Sequence, residues 1–225
     1  MKCLFYTLVM FFLSFQTIYA QNITSKRVFE VTDSIVLSII QNKELFQYFS
    51  VTENSYYEYK TNINSNKIKK SPLLNKKTLK RNTTEIWVQY YFNYPKIEGV
   101  RGWHWITLNN KLEFITSNIN FSFVPFFLIK NQPSYFISKK EALEKGIKYI
   151  EEIGTEIKTP RLYYYTSHYY NQYTESLNIR DYGYYYYLDN VQEKRIERIY
   201  IDAVTGNFFR KETILLPEPL IQIEK

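Results

Sequence analysis

Cysteine is nearly absent from this chain. Of 225 residues only Cys3 carries a thiol, and it precedes an apolar stretch instead of following one, so it is no lipid anchor. If the leader described below is removed, neither a disulfide nor a thiolate metal ligand remains. Extracellular eukaryotic domains often carry disulfides, so their absence points to a bacterial envelope or secreted protein. Histidine is almost as scarce. His104 and His168 are the only two and lie 64 residues apart. A two-histidine metal site needs close spacing on one helix or a matched carboxylate, and these two have neither.

Glycine and proline number only 6 and 7, which excludes a low-complexity fibre. No Gly-x-Ser-x-Gly elbow, phosphate-cradling glycine loop or His-Glu-x-x-His pattern occurs. Glu151 and Glu152 are neighbours that point apart, and Glu197 and Asp202 belong to a strand with structural roles. The sequence therefore names no catalytic residue, no metal ligand and no cofactor-binding residue. Long apolar runs are missing after the N-terminus. Phe121–Ile129 is apolar, but it is short of the ~20 residues a spanning helix needs. Pro125 interrupts it, and it reads as a buried connector.

What is present begins with a leader. Lys2, the apolar run Leu4–Phe15 and the small Ala20 before Gln21 have the order of parts of a signal peptide, 1–20. Export to the periplasm or medium is expected, with no transmembrane segment after cleavage. Roughly 205 residues would remain, enough for one large domain or two small ones. A hydrophobic share of 45% supports a core, and an aromatic share of 19% with 23 tyrosines is high. The net charge is +7. From Lys60 to Arg81 there is no acid, while Lys60, Lys67, Lys69, Lys70, Lys76, Lys77, Lys80 and Arg81 are basic. This stretch reads either as an anionic contact site or as a solvated loop, and its Asn, Ser and Lys content favours the loop. Nucleic acid is not an expected partner of an exported chain.

Periodicity divides the rest into two halves. In the first, Asp33 can cap a helix from Ser34, with Ile35, Val36, Ile39 and Ile40 at helical spacing. Ser55–Thr61, Glu85–Tyr94 and Gly102–Leu108 read as strands. Asn109-Asn110 suits a tight turn, and Lys111–Thr116 is the expected return strand. In the second, Ser138 and Glu141 form a capping box. The helix would run to Ile153, burying Leu143, Ile147 and Ile150, with Gly154 as its stop. Arg161–Thr166 and Tyr182–Leu188 read as strands, with a polar loop Ser167–Arg180 between them. Ile196–Asp202 and Asn207–Thr213 form a terminal hairpin. His104–Leu108 falls where Ile199–Ala203 falls, at an offset near 100 residues. The expected fold is α+β, with two tandem units, each one helix on an antiparallel sheet of about four strands. They would occupy 21–120 and 137–225, joined by the apolar connector 121–136.

The helix start Ile137-Ser138-Lys139-Lys140-Glu141-Ala142 and the turn Tyr200-Ile201-Asp202-Ala203-Val204-Thr205-Gly206 resemble a PepSY domain over roughly residues 137–213. The resemblance implies a short helix on an antiparallel sheet. It also implies a non-enzymatic envelope or secreted protein that binds or regulates another protein. Some members lie in peptidase propeptides, so a peptidase is one candidate partner. Asp202, Thr205 and Gly206 have a plain structural reading as well: Asp and Thr bond turn N–H groups and Gly supplies positive φ.

Tyr163-Tyr164-Tyr165 and Tyr184-Tyr185-Tyr186-Tyr187 place rings on both faces of a sheet. One set can pack on the helix. The other either stacks across strands or presents an aromatic surface to a peptide or a sugar. The alternative to a protein-binding role is therefore an envelope structural or carbohydrate-contacting module.

Overall fold

Helix α1 (Ser25–Ile40) opens the part of the chain that the computed structural model describes, residues 23–62, 64–74, 76–115, 121–164 and 183–217. The expected leader, His168 and the whole expected polar loop Ser167–Arg180 lie outside those residues. Val28, Thr32, Val36 and Ile40, four apart, are all fully buried, so they form one stripe. The helix starts nine residues earlier than Ser34. Thr24 caps it, accepting from the Arg27 N–H at 3.2 Å. Asp33 lies inside the helix, where its carboxylate accepts from the Tyr90 hydroxyl. The polar Thr32 hid the upstream half of the stripe. Its hydroxyl is satisfied by Tyr90 at 2.8 Å. A second helix, α2 (Lys43–Phe46), is capped by the Asn42 side chain.

The first sheet holds β1 (Phe49–Val51), β2 (Tyr56–Lys60), β3 (Ile68–Pro72), β4 (Thr83–Asn93) and β5 (Arg101–Asn109). β4 pairs with β1, β2 and β5, and β3 extends outward from β2. Alternation explains β4: Ile86, Val88, Tyr90 and Phe92 are buried on one face. β3 corrects the loop expected across the basic segment. Its backbone is claimed by the edge of β2, with Tyr57 opposite Ser71 and Tyr59 opposite Lys69. An outer strand tolerates lysines because their charges stay in water. Among the described residues, the expected return strand at Lys111–Thr116 shrinks to one bridge, Leu108 to Phe114, and Thr116 lies outside them. The Asn109 side chain holds that turn, accepting from the N–H groups of Lys111 at 2.8 Å and Glu113 at 3.0 Å.

After the buried rings of Phe121 and Phe123 come α3 (Phe126–Ile129) and α4 (Lys139–Ile147). Phe121, Phe123, Val124 and Phe127 of the apolar run are buried, and Phe126, Leu128 and Ile129 are half-buried. The second sheet holds β6 (Glu156–Ile157), β7 (Arg161–Tyr164), β8 (Tyr184–Val191), β9 (Arg195–Asp202) and β10 (Phe208–Leu215). Its order is β10-β9-β8, and β6 and β7 both pair with β8. Both sheets are antiparallel with five strands each, and helices pack on them. Two physical expectations hold locally. Ser138 caps α4, accepting from the Glu141 N–H at 3.1 Å. Asp202 Oδ1 accepts from the N–H groups of Val204 at 2.9 Å and Thr205 at 2.6 Å, and Gly206 turns at φ +71°.

The docking face of α4 differs from expectation. Ala142 and Gly146 are its buried residues, Leu143 is half-buried, and Ile147 is 37% exposed. The helix stops at Ile147, leaving Ile153 beyond it and 70% exposed. Small residues let the helix backbone approach the sheet, and the bulky side chains flank that contact. Gly154 is no helix stop. A Cβ there would lie 1.9 Å from the Val191 carbonyl oxygen, so it marks a close backbone approach.

Packing divides the described residues into two units that interleave along the chain. The first takes those within Met1–Ile39, Val51–Tyr90 and Trp105–Ile119. The second takes those within Ile40–Ser50, Tyr91–His104 and Asn120–Lys225. No described helix is long and apolar enough to cross a membrane.

Candidate binding cleft in the second unit

The second unit contains a cleft of about 720 Å³ lined by Tyr91, Gly99, Arg101, Gly102, Trp103, His104, Ser122, Phe123, Tyr163 and Tyr164. Four chain segments build it. Tyr91 lies on the face of β4 opposite the buried Phe92. The turn to β5 closes with Tyr94 N–H donating to the Val100 carbonyl at 2.9 Å. Gly99 sits there at φ +91°, and a Cβ would fall 2.1 Å from the Leu162 carbonyl oxygen, so only glycine lets this turn pass β7. Gly102 lies against the Phe123 ring in the same way, 2.3 Å from its Cγ to a built Cβ.

The rings differ in exposure. Trp103 is 60% exposed and Tyr163 43%. Phe123 is buried, and its ring meets Tyr164 edge-on at 6.4 Å. The Ser122 and Tyr164 hydroxyls are hydrogen-bonded to each other. Arg101 is exposed and forms no ion pair with a carboxylate within 4 Å among the described residues. The nearby Glu98 is engaged by Lys139, whose hydrogen bond and charge hold that carboxyl below its usual range, with Arg161 and Arg101 adding to the effect. Among the described residues, no carboxylate lines the cleft itself.

His104 packs edge-on to Phe121 at 5.4 Å. Burial pushes its imidazole below the usual range, so it is neutral at pH 7. Its Nε2 is buried without a hydrogen-bond partner among the described residues. A general base needs an orienting partner and a reachable proton, and among the described residues no carboxylate bonds to His104. Among the described residues, no three His, Cys, Asp or Glu side chains gather as a metal site requires. Glu197 is likewise structural. Burial would raise its carboxyl, but Lys211 at 2.9 Å and Asn190 at 3.3 Å outweigh that and hold it low.

The tyrosine run of β8 is packed on both faces. Tyr184 donates its hydroxyl to the Phe123 carbonyl, and Tyr186 donates to the Ile137 carbonyl at 2.9 Å. On the other face Tyr185 is only 8% exposed and clusters with Tyr200, Tyr187 and Phe209. Cross-strand stacking therefore accounts for the second ring set.

A separate aromatic group lies in the first unit. Tyr56 stacks on Trp87 at 5.9 Å, and Trp105 meets both rings edge-on, at 5.8 and 6.2 Å. All three are half-buried, and Lys70 lies 4.3 Å above the Tyr56 ring.

Sequence reasoning singled out His104, Trp103 and Tyr163-Tyr164 separately, and the fold brings them together. It passed over Tyr91, Arg101 and Ser122, whose convergence is long-range. The one local signal was a pair of glycines, Gly99 and Gly102, in a chain with few. No family model, curated protein or solved structure matches this chain.

Proposed function

We propose that the protein is an exported, non-enzymatic, PepSY-like binding or regulatory protein, and that the second unit's cleft takes a segment of a partner polypeptide. Export and the family resemblance rest on the sequence. The observation that carries the binding role is the lining of the cleft: five aromatic rings around the exposed Arg101 guanidinium, with no carboxylate among the described lining residues. Its volume falls within the ~300–1,000 Å³ of ordinary ligand pockets. Exposed Trp103 and Tyr163 offer apolar area at small entropic cost. Arg101 complements a carboxylate. The occupant is thus an apolar or aromatic side chain beside a carboxylate, as at a polypeptide C-terminus or next to Asp or Glu. A peptidase is the candidate partner.

A carbohydrate-contacting role is the second reading. It draws on the Tyr56, Trp87 and Trp105 rings of the first unit, because sugars stack on such rings.

Fluorescence titration separates the two. Short peptides with Phe or Leu beside a free carboxylate should saturate a change in tryptophan emission. Their amidated forms should bind about ten-fold more weakly. Saturation by oligosaccharides and not by peptides would replace the first reading with the second. Peptide hydrolysis that disappears in His104→Ala would overturn both.

A further inference from the structure

The eight cations from Lys60 to Arg81 are held on a fixed frame in the first unit. β3 is the outer strand of its sheet. Lys60 lies opposite Ile68, and Tyr59 opposite Lys69. Strand alternation then sets Lys60, Ile68 and Lys70 on one face and Lys69 with Tyr59 on the other. Lys80 joins that second face, its Nζ 4.0 Å from the centre of the Tyr59 ring. The loop after β3 is pinned to the start of α1. Ser25 Oγ donates to the Leu73 carbonyl at 3.0 Å and to the Lys76 carbonyl, and Leu79 N–H donates to the Ile23 carbonyl at 2.8 Å.

Among the described residues, Lys70 alone of the eight meets a carboxylate, Glu58 at 3.4 Å. The Lys80 hydrogen bond holds the Tyr59 phenol below its usual range. Desolvation opposes this, and the charges of Lys80, Lys69 and Lys76 reinforce it. Ile68 is 52% exposed between Lys67 and Lys69.

We propose that this edge of the first unit rests on an anionic phospholipid surface, with Ile68 entering the headgroup region and Lys60, Lys67, Lys69, Lys76 and Lys77 meeting lipid phosphates. Cations on both faces of an outer strand suit a sheet edge dipping into a charged plane. A linear polyanion lying on one face would leave the other face's lysines without a role. The exposed isoleucine among lysines is the apolar-plus-basic pattern of interfacial binding. This site is independent of the cleft.

Co-sedimentation of the full chain with vesicles tests it. Binding to phosphatidylglycerol–phosphatidylcholine vesicles should exceed binding to phosphatidylcholine alone and fall steeply with salt. The triple variant Lys69→Gln, Lys76→Gln, Lys77→Gln should lose about a hundred-fold in partition, at about five-fold per lysine. The corresponding triple Arg variant should keep it. Ile68→Ser should weaken vesicle binding several-fold and leave binding to soluble polyphosphate unchanged. Equal binding to neutral and anionic vesicles would overturn the proposal. So would lysine dependence with Ile68→Ser silent on vesicles, which would assign the cations to a soluble polyanion. Circular dichroism checks folding of each variant, and salt independence of the wild type would overturn the proposal without any variant.

Discussion

Gly146 of α4 lies directly on Leu188 of β8. A Cβ at Gly146 would come within 1.9 Å of Leu188 Cδ2, and Leu188 is completely buried. Leu188→Ala should cost about 2–5 kcal/mol through the lost methyl groups and the cavity left behind. Gly146→Ala overpacks the contact by about 1–3 kcal/mol while gaining roughly 1 kcal/mol of helix propensity. In the double variant the new methyl enters the vacated space. Urea denaturation should show a combined loss smaller than the sum by about 1 kcal/mol or more. Strict additivity would mean that the helix and strand do not touch at this point.

The same contact predicts which face of α4 tolerates charge. Ala142→Asp places a carboxylate in the dry interface and should cost several kcal/mol. Ile147→Asp, on an exposed position, should stay within roughly 1 kcal/mol of wild type. Thermal melts of the two variants check this, and the reverse order would show that the helix docks by its bulky residues.

These two positions also show how far the sequence could be read. The cap at Ser138 and the Asp202–Gly206 turn were legible because their bonds are local. So was β4, whose Ile86, Val88, Tyr90 and Phe92 alternate. The docking face of α4 was not, because Ala142 and Gly146 contribute closeness instead of hydrophobicity, while Ile147 and Ile153 mimic a core stripe. The start of α1 was obscured by Thr32, a polar residue buried through a partner 58 residues away. β3 carries no apolar alternation, and only its pairing with β2 makes it a strand. The cleft has no sequence signature beyond its glycines, since its rings come from four separated segments.

Tyr184 should be more than a packed ring. Its hydroxyl satisfies the Phe123 carbonyl in a buried setting, so Tyr184→Phe should cost about 1–3 kcal/mol by stranding that acceptor. Tyr187→Phe keeps the ring under the Arg198 guanidinium, 4.5 Å from its centre, and should be nearly neutral. Equilibrium denaturation of the pair decides the matter. Equal, small effects would mean that the Phe123 carbonyl finds another donor.

His104 should make stability pH-dependent. Its folded pKa lies below its unfolded value near 6.5. The unfolded chain therefore takes up the proton first as pH falls. The stability contributed by the neutral ring is fully present above about pH 6.5. It is lost as pH falls through the lower folded value. Melting curves at pH 7.5 and 5.0 should show a larger acid-induced drop for wild type than for His104→Phe. Identical drops would place the imidazole in contact with water.

The role proposed for the aromatic cleft of the second unit is to bind a polypeptide segment without turning it over. Calorimetric titration of wild type, Trp103→Ala and Arg101→Gln with one carboxylate-bearing aromatic peptide tests it most directly. Wild type should bind with a negative heat-capacity change, as buried apolar surface requires. Each variant should weaken binding by about ten-fold or more without a change in melting temperature. Affinity unchanged in both variants, or a heat signal that continues as the peptide is consumed, would contradict the account.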